Sequence, residues 1–311
     1  DAALHGGISS GLEVGPIGPQ AEEIRDFEAL YQAFLHQVRF CADVSARYYR
    51  NVFETVPKDC NFLLASLLTE GCMDSGKGIL EGAEHLGACV MGHGFTNVAD
   101  SLAAIRRVVF EEGRVTLPEL VDMLDENFVG HDDLRQALLN APKFGNDLDE
   151  VDDLFVRLWS DMNRAVDEAG QRAGLGFFVL SSVNPGGYGM GESCPATADG
   201  RKSGQPFAIG HAPTAGMDRN GLTALFNSVA KADAANGGAT TNVKISREMF
   251  TNSRPKVEAL FAAYFADGGQ EATVTVVSRN DLESAMEHPD QFPRLLVRLG
   301  GWCAKFVDLS R

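Results

Sequence analysis

Two glycines, Gly300 and Gly301, stand inside the apolar run LLVRLGGWCAKF at residues 295–306. Glycine in a strand-like stretch offers no side chain to pack and loses the most backbone entropy on ordering. The residues alone admit two readings. One is a bulge or tight turn, the commoner meaning of glycine in a strand. The other is that the α-carbon of a glycine is itself the reagent.

Other chemistry-bearing residues make weaker patterns. Gly187-Tyr-Gly189-Met-Gly191 misses the dinucleotide fingerprint because its third glycine falls one residue early, and no phosphate-loop lysine follows. It reads as a mobile loop at the mouth of a sheet, and Asp199-Gly-Arg201 reads as a plain turn. His85 and His93 share a glycine-rich stretch with Cys72, Asp74, Glu81 and Glu84, but their spacing matches no metal-ligand pattern, so they read as solvated or core histidines. No Ser-His-Asp arrangement can be argued. Paired acids such as Asp152-Asp153 read as solvated helix faces.

Composition narrows the class. Forty-three acidic against 27 basic residues leave a formal charge of -16, which argues against a nucleic-acid backbone and against anionic lipid as partners. No apolar run approaches the ~20 residues of a membrane span, and the opening residues do not read as a leader. The six cysteines lack CxxC spacing, which suits reduced core thiols in a cytoplasm. The first residue is Asp1, and the chain is expected to be a piece of a longer polypeptide.

Elements follow from periodicity. A helix is expected from Asp26, with Phe27, Leu30, Tyr31, Phe34, Val38 and Cys41 on one face. Residues 71–94 read as a long structured loop. Asn97 or Asp100 is expected to cap a helix that buries Leu102, Ile105 and Val109. Thr116 and Glu119 form a capping box. A helix over 150–166 buries Val151, Leu154, Phe155, Leu158, Met162 and Val166. Then the texture changes. GFFVLSSV at 176–183 reads as a strand buried on both faces, followed by a loop over 184–204. Short strands are expected at 207–210 and 242–246 with a helix between them. Ser253 is expected to cap a helix carrying Val257, Leu260, Phe261 and Tyr264. A second buried strand is expected at 272–278, and Asn280 is expected to cap the last helix. Helices first, then alternation of strand and helix, predict an α/β architecture with parallel strands.

Arg298-Leu299-Gly300-Gly301-Trp302 resembles the signature R-[VI]-[SAG]-G-[YFW] of the glycyl radical enzymes, the family of pyruvate formate-lyase and the glycerol and choline lyases. Leu299 stands for the usual Val or Ile, Gly300 for Ser or Ala, and Trp302 for Tyr. The stretches SLLTEGC (66–72), DSLAAIRRVVFEE (100–112), NAPKFGND (140–147), ADGRKSG (198–204) and VVSR (276–279) resemble the same family in the same order. The resemblance therefore spans the chain, and the ending AKFVDLS is closer to the dehydratase, decarboxylase and carbon–nitrogen lyase branch. It implies the second half of a ten-stranded α/β barrel with many surrounding helices. Residues 1–170 would be the mostly helical carboxy-terminal part of the barrel domain, and residues 171–311 the remaining strands ending in the glycine radical domain.

By this resemblance Gly301 carries the stored radical, with Arg298, Gly300 and Trp302 supporting its loop. A carbon radical between an amide nitrogen and a carbonyl is delocalised into both only if planar, and glycine alone reaches planarity without a side-chain clash. Leu295, Leu296, Val297, Trp302 and Phe306 would exclude water from it. The family's partner is a cysteine in a Gly-Cys-x-Glu loop. Gly71-Cys72-Met73-Asp74 looks similar, but its surroundings resemble a later family segment, so the true cysteine is expected upstream of Asp1.

The resemblance further implies radical lyase, dehydratase or decarboxylase chemistry, or formate acetyltransferase-like acyl transfer, on a small organic substrate. It implies a homodimer, no bound cofactor, and an activating enzyme that uses S-adenosylmethionine and an iron–sulfur cluster. A radical-free binding or structural half-barrel is the alternative. Residues 1–311 alone are expected to turn over no substrate. Measurable turnover by this chain in an anaerobic assay would reopen the case for Cys72.

Overall fold

A computed structural model describes residues 1–182, 186–234, 236–299 and 302–309, without the side chains of Tyr188 and Leu299. The chain divides into two compact units, Asp1–Met91 with Ser160–Leu180 and Gly92–Trp159 with Ser181–Arg311. No helix among the described residues is long and apolar enough to cross a membrane.

A short antiparallel hairpin, β1 (Ile8–Ser9) and β2 (Leu12–Glu13), precedes α1 (Phe27–Asp59). The Asp26 carboxylate caps α1 by accepting from the Ala29 amide at 2.8 Å. The buried face of α1 centres on Tyr31, Leu35, Ala42 and Ala46, so Phe34 and Val38 fall at its margin and Cys41 is exposed. Helix α2 (Leu63–Leu67) follows. The expected loop over 71–94 instead holds two single-turn helices, α3 (Cys72–Ser75) and α4 (Ile79–Gly82), and the strand β3 (Gly87–Gly92). The glycines there bound elements rather than dissolve them. Gly71 and Gly76 flank α3 in the left-handed region, at φ +86° and +64°. Cys72 is buried.

Helix α5 (Phe95–Ile105) begins after a left-handed Gly94 and runs into a π-helical turn, Arg106–Glu111. Leu102, Ile105 and Val109 are buried as their spacing predicts. Asn97 and Asp100 are not caps: both lie inside α5 and are buried. Helix α6 (Leu117–Asp125) has the expected box, with Glu119 N donating to the Thr116 hydroxyl and the Glu119 carboxylate accepting from Thr116 N. Next come α7 (Asp132–Asn140) and α8 (Asp149–Ala173), which buries Val151, Leu154, Phe155, Leu158 and Val166 and leaves Met162 at the margin.

Strand β4 (Gly176–Ser181) pairs with β3. Gly87 packs against Gly176 at one end, and Gly92 O accepts from Ser182 N at the other, so the two run parallel. Only one face of β4 is buried. Phe177 packs on Tyr49 and over Gly170, whose missing Cβ would lie 2.5 Å from that of Phe177, while Phe178 is 48% exposed.

The 184–204 stretch is not a simple loop, since Gly186–Ser193 is helical (α9). Residues 207–210 form no strand; Gly210 N and His211 N bond to Ser182 O and Thr240 O, outside any ladder. After α10 (Gly221–Ala230), strand β5 (Asn242–Lys244) precedes α11 (Arg247–Asn252) and α12 (Arg254–Ala266). β5 pairs in parallel with β6 (Thr273–Thr275), Val243 opposite Val274, but β6 is only half-buried. Ser253 precedes α12 without a side-chain cap bond; Val257 and Tyr264 are buried, Leu260 and Phe261 marginal. Helix α13 (Arg279–Glu287) is capped by Ser278 rather than Asn280, in a box with Asp281. The chain ends in β7 (Leu296–Leu299) and β8 (Trp302–Lys305).

Two buried polar groups set the energetics of the second unit. Asp152 is fully buried rather than solvated, because Lys231 Nζ reaches it at 2.8 Å and Ser228 donates to it at 3.0 Å. Lys231 also pairs with Asp147 and Asp149. His211 is also fully buried, edge-on to Trp159 at 4.5 Å and Phe155 at 4.8 Å, and neither ring nitrogen has a hydrogen-bond partner. Burial pushes its pKa down to about 3.

Lys231→Met strands the Asp152 carboxylate and is expected to destabilise the protein by roughly 3 kcal/mol in urea unfolding; adding Asp152→Asn should recover most of it. Unchanged stability in the single variant would refute the pairing. The folded chain binds fewer protons at His211 than the unfolded chain does. Its contribution is therefore intact above the usual pKa of 6.5 and lost as pH falls toward about 3. His211→Phe should flatten that acid branch and gain about 1 kcal/mol at pH 7 by removing an unpaired buried N–H. Unfolding curves across pH 3–8 decide this.

Candidate functional site

The carboxy-terminal strands form an antiparallel hairpin. Leu296 opposes Lys305, Val297 Ala304, Arg298 Cys303, and Leu299 Trp302. Phe306 N donates to Leu295 O at 2.8 Å and lengthens the ladder by a step. β7 lies beside β6, and the turn Phe306–Asp308 packs on α13, so the hairpin is held at its base. Gly300 and Gly301 lie outside the described residues; Leu299 and Trp302, which flank them, are the last opposed pair.

Strand alternation sorts the hairpin's side chains. Leu296, Arg298, Cys303 and Lys305 share one face and are exposed, while Val297 and Ala304, on the other, are half-buried. The Arg298 guanidinium donates across the ladder to Cys303 Sγ at 3.6 Å. The expected apolar shield is incomplete in this chain. Leu296 is 54% exposed because alternation turns it outward, and Trp302, at the tip, is 52% exposed.

Sequence reasoning missed a second constellation, a polar hub centred on α5. Asn97 Nδ2 donates to Asp199 at 2.7 Å, and its Oδ1 accepts from Ala208 N at 2.8 Å. Asp100 accepts from Phe144 N at 2.8 Å and from the Thr214 hydroxyl at 3.5 Å. Lys143 Nζ donates to Leu138 O at 2.6 Å. Burial raises the Asp100 pKa to about 8, opposed by the charge of Lys143 and by the Phe144 N–H; burial also lowers Lys143. Asp199-Gly-Arg201 is far from a plain turn. Gly200 sits at φ +94°, and an added Cβ would meet the Leu139 side chain at 2.7 Å. The Arg201 guanidinium donates to Gln205 O at 2.7 Å, to Pro195 O and to the Thr197 hydroxyl, and lies 4.4 Å over the Phe207 ring.

All of Asn97, Asp100, Lys143, Asp199 and Arg201 are at most 5% exposed. They offer no open acid or base to a ligand. What they hold is backbone, fixing residues 195–214 against α5. One signal was available in the sequence: Asn97 and Asp100 lie three apart, in register with Ala103 and Ala104, on a helix otherwise apolar on that face. The histidines set aside earlier stand apart from the hub. His85 is exposed, and His93 is half-buried with its Nδ1 covered, unpartnered, and its pKa lowered by burial.

Comparison with known proteins places these features. Residues 1–178 match the Pyruvate formate lyase-like family and residues 207–307 the Glycine radical family. The probable dehydratase YbiW of Escherichia coli K12 is 32% identical over 308 residues, covering 93% of this chain and 38% of that protein. The (2S)-3-sulfopropanediol dehydratase of Klebsiella oxytoca is 28% identical, covering 100% and 39%. Further relatives include a sulfite-lyase and a decarboxylase. The glycerol-bound B12-independent glycerol dehydratase of Clostridium butyricum superposes with a TM-score of 0.93 at 29% identity, over 99% of this chain and 40% of that one. The chain thus spans about two fifths of the length of the relatives it matches. With pyruvate formate lyase-like sequence leading into a glycine radical domain, and with the fold of a glycerol dehydratase, this chain belongs to the glycyl radical enzyme family.

Proposed function

We propose that these residues are the carboxy-terminal portion of a glycyl radical enzyme that stores its radical on Gly301. The observation that carries this is Arg298-Leu299-Gly300-Gly301-Trp302, lying inside the region that matches the glycine radical domain and flanked by a paired hairpin. Arg298 and Trp302 would support the loop. Arg298 is tied across the ladder to Cys303, and Trp302 provides a flat apolar surface at the tip. The half-exposed Trp302 calls for a cover, which the rest of the polypeptide would supply.

In the complete enzyme a cysteine outside these residues passes its sulfur-bound hydrogen atom to the Gly301 α-carbon. That re-forms the glycine C–H bond and leaves a thiyl radical. The thiyl then takes a hydrogen atom from a small organic substrate, and the substrate radical loses its leaving group. Names of the relatives favour dehydration, with lyase and decarboxylase chemistry close behind. The barrel would be ten-stranded, with residues 1–170 and 171–311 contributing its second half, in a cytoplasmic homodimer. An S-adenosylmethionine-dependent iron–sulfur activase would install the radical.

After anaerobic activation, the full-length protein should show a doublet in its EPR spectrum, split by the one hydrogen left on the Gly301 α-carbon. Gly301→Ala should abolish both doublet and turnover. A doublet that survives in Gly301→Ala would move the radical elsewhere. Unchanged turnover in Gly301→Ala would overturn the assignment, and the absence of both doublet and turnover in the unaltered protein would leave a protein that keeps the fold without the chemistry.

A further inference from the structure

Burial in helix α2 is inverted. Its one polar side chain, Ser66, is 6% exposed, while Phe62, Leu63, Leu64, Leu67 and Leu68 around it are between 49% and 81% exposed. Met73, in α3, adds a sixth large apolar side chain at 67%. No charged residue stands between Asp59 and Glu70. Single apolar residues scattered over a surface need no explanation, but a run of this kind marks a face that something covers.

The polar side fixes this orientation. Ser66 Oγ donates to Phe62 O at 2.9 Å and accepts from Ile79 N at 2.9 Å, which ties α2 to the first turn of α4. Just beyond α2, Glu84 N donates to Glu70 O at 3.0 Å, and an added Cβ on Gly71 would lie 2.7 Å from Gly82 O and from Glu84 N. All of these groups belong to the first compact unit. A helix of five residues has no stability of its own. These bonds and close approaches hold it, so its leucines are displayed on a braced platform.

We propose that the apolar face of α2, with Met73, is the seat for polypeptide that precedes Asp1 in the complete protein. This rests on the reading of these residues as the carboxy-terminal portion of a longer enzyme. The chain spans about two fifths of the length of its relatives, so about three fifths of a protein of that size lies outside it. A tethered segment reaches the face at the effective concentration its linkage sets. Surfaces that meet only after folding are about as apolar as the rest of a protein's exterior. This run, uncharged from Cys60 to Thr69, has instead the character of a core cut in half.

Cross-linking in the full-length protein is the test. With a photoreactive benzoyl-phenylalanine in place of Leu64, irradiation should join that position to a peptide that precedes Asp1 and leave a single-chain mass on a denaturing gel. A link between copies, a link confined to residues 1–311, or no link overturns the proposal. Leu64→Cys and Leu68→Cys give an independent measure in the same protein. Each thiol should react with a maleimide at least about tenfold slower than after unfolding in urea, because only opening of the covered face exposes it. Reaction at the unfolded rate overturns the seat. A link between copies beside an intact glycyl doublet would strike the seat and leave the radical reading. A single-chain link to the preceding polypeptide, without a doublet, would strike the radical reading and leave the seat.

Discussion

Burying a carboxyl group is tolerable only if its polar atoms find partners, and α5 and the segments packed on it meet that demand at Asp100. The residue sits on the inner face of α5 with no access to water, and the turn after α7 and the loop after α9 both bring donors to it. Asn97, one turn earlier, extends the same logic to Asp199 and to Ala208 N. Because each bond joins segments far apart in sequence, the path of residues 195–214 follows from where α5 is. The Arg201 guanidinium then fixes that loop internally through four carbonyl or hydroxyl acceptors and one ring.

The glycines serve several distinct ends, and only context separates them. Gly200 is needed because its backbone is left-handed and a Cβ there would collide with Leu139. Gly170 is needed for closeness alone, letting Phe177 settle on α8. In α9, Gly191 lets the backbone approach Gln205 and Pro206 more closely than a Cβ would permit. At position 301 the proposed reason is different in kind, since there the α-carbon itself would react. A glycine-rich composition, 33 in 311 residues, therefore carries little meaning until each neighbour is known.

The hairpin and the hub illustrate two routes to a functional reading. The hub is well determined by geometry yet offers a ligand nothing; its work is to hold backbone. The hairpin is modest in geometry, a short ladder with Leu296 and Trp302 half exposed, yet it carries the motif and the family match. Its exposure is intelligible in a chain that spans about two fifths of the length of its relatives.

Local rules were legible in the sequence, and they held where the physics is local. The Thr116–Glu119 box, the helix beginning at Asp26, the buried stripe of α8 and the strand at 176–181 depend on neighbours within a turn or two along the chain. The glycine motif was legible for the same reason, being five consecutive residues. Long-range pairing was not legible. Asp152 reads as a surface acid until Lys231, 79 residues away, is seen to reach it. Asn97 and Asp100 read as caps until their partners arrive from positions 144, 199, 208 and 214. Strand β3 hides in a glycine-rich stretch because its reason for being extended is β4, and residues 207–210 fail to form a strand because the amides of Phe207, Ala208 and Gly210 are claimed by Gly187 O, the Asn97 side chain and Ser182 O. The sequence by itself determined which chemistry to look for and the starts of α1, α6 and α8. The tertiary structure alone decided which polar side chains are buried, since burial is a property of what packs on a residue and no short stretch of chain contains it.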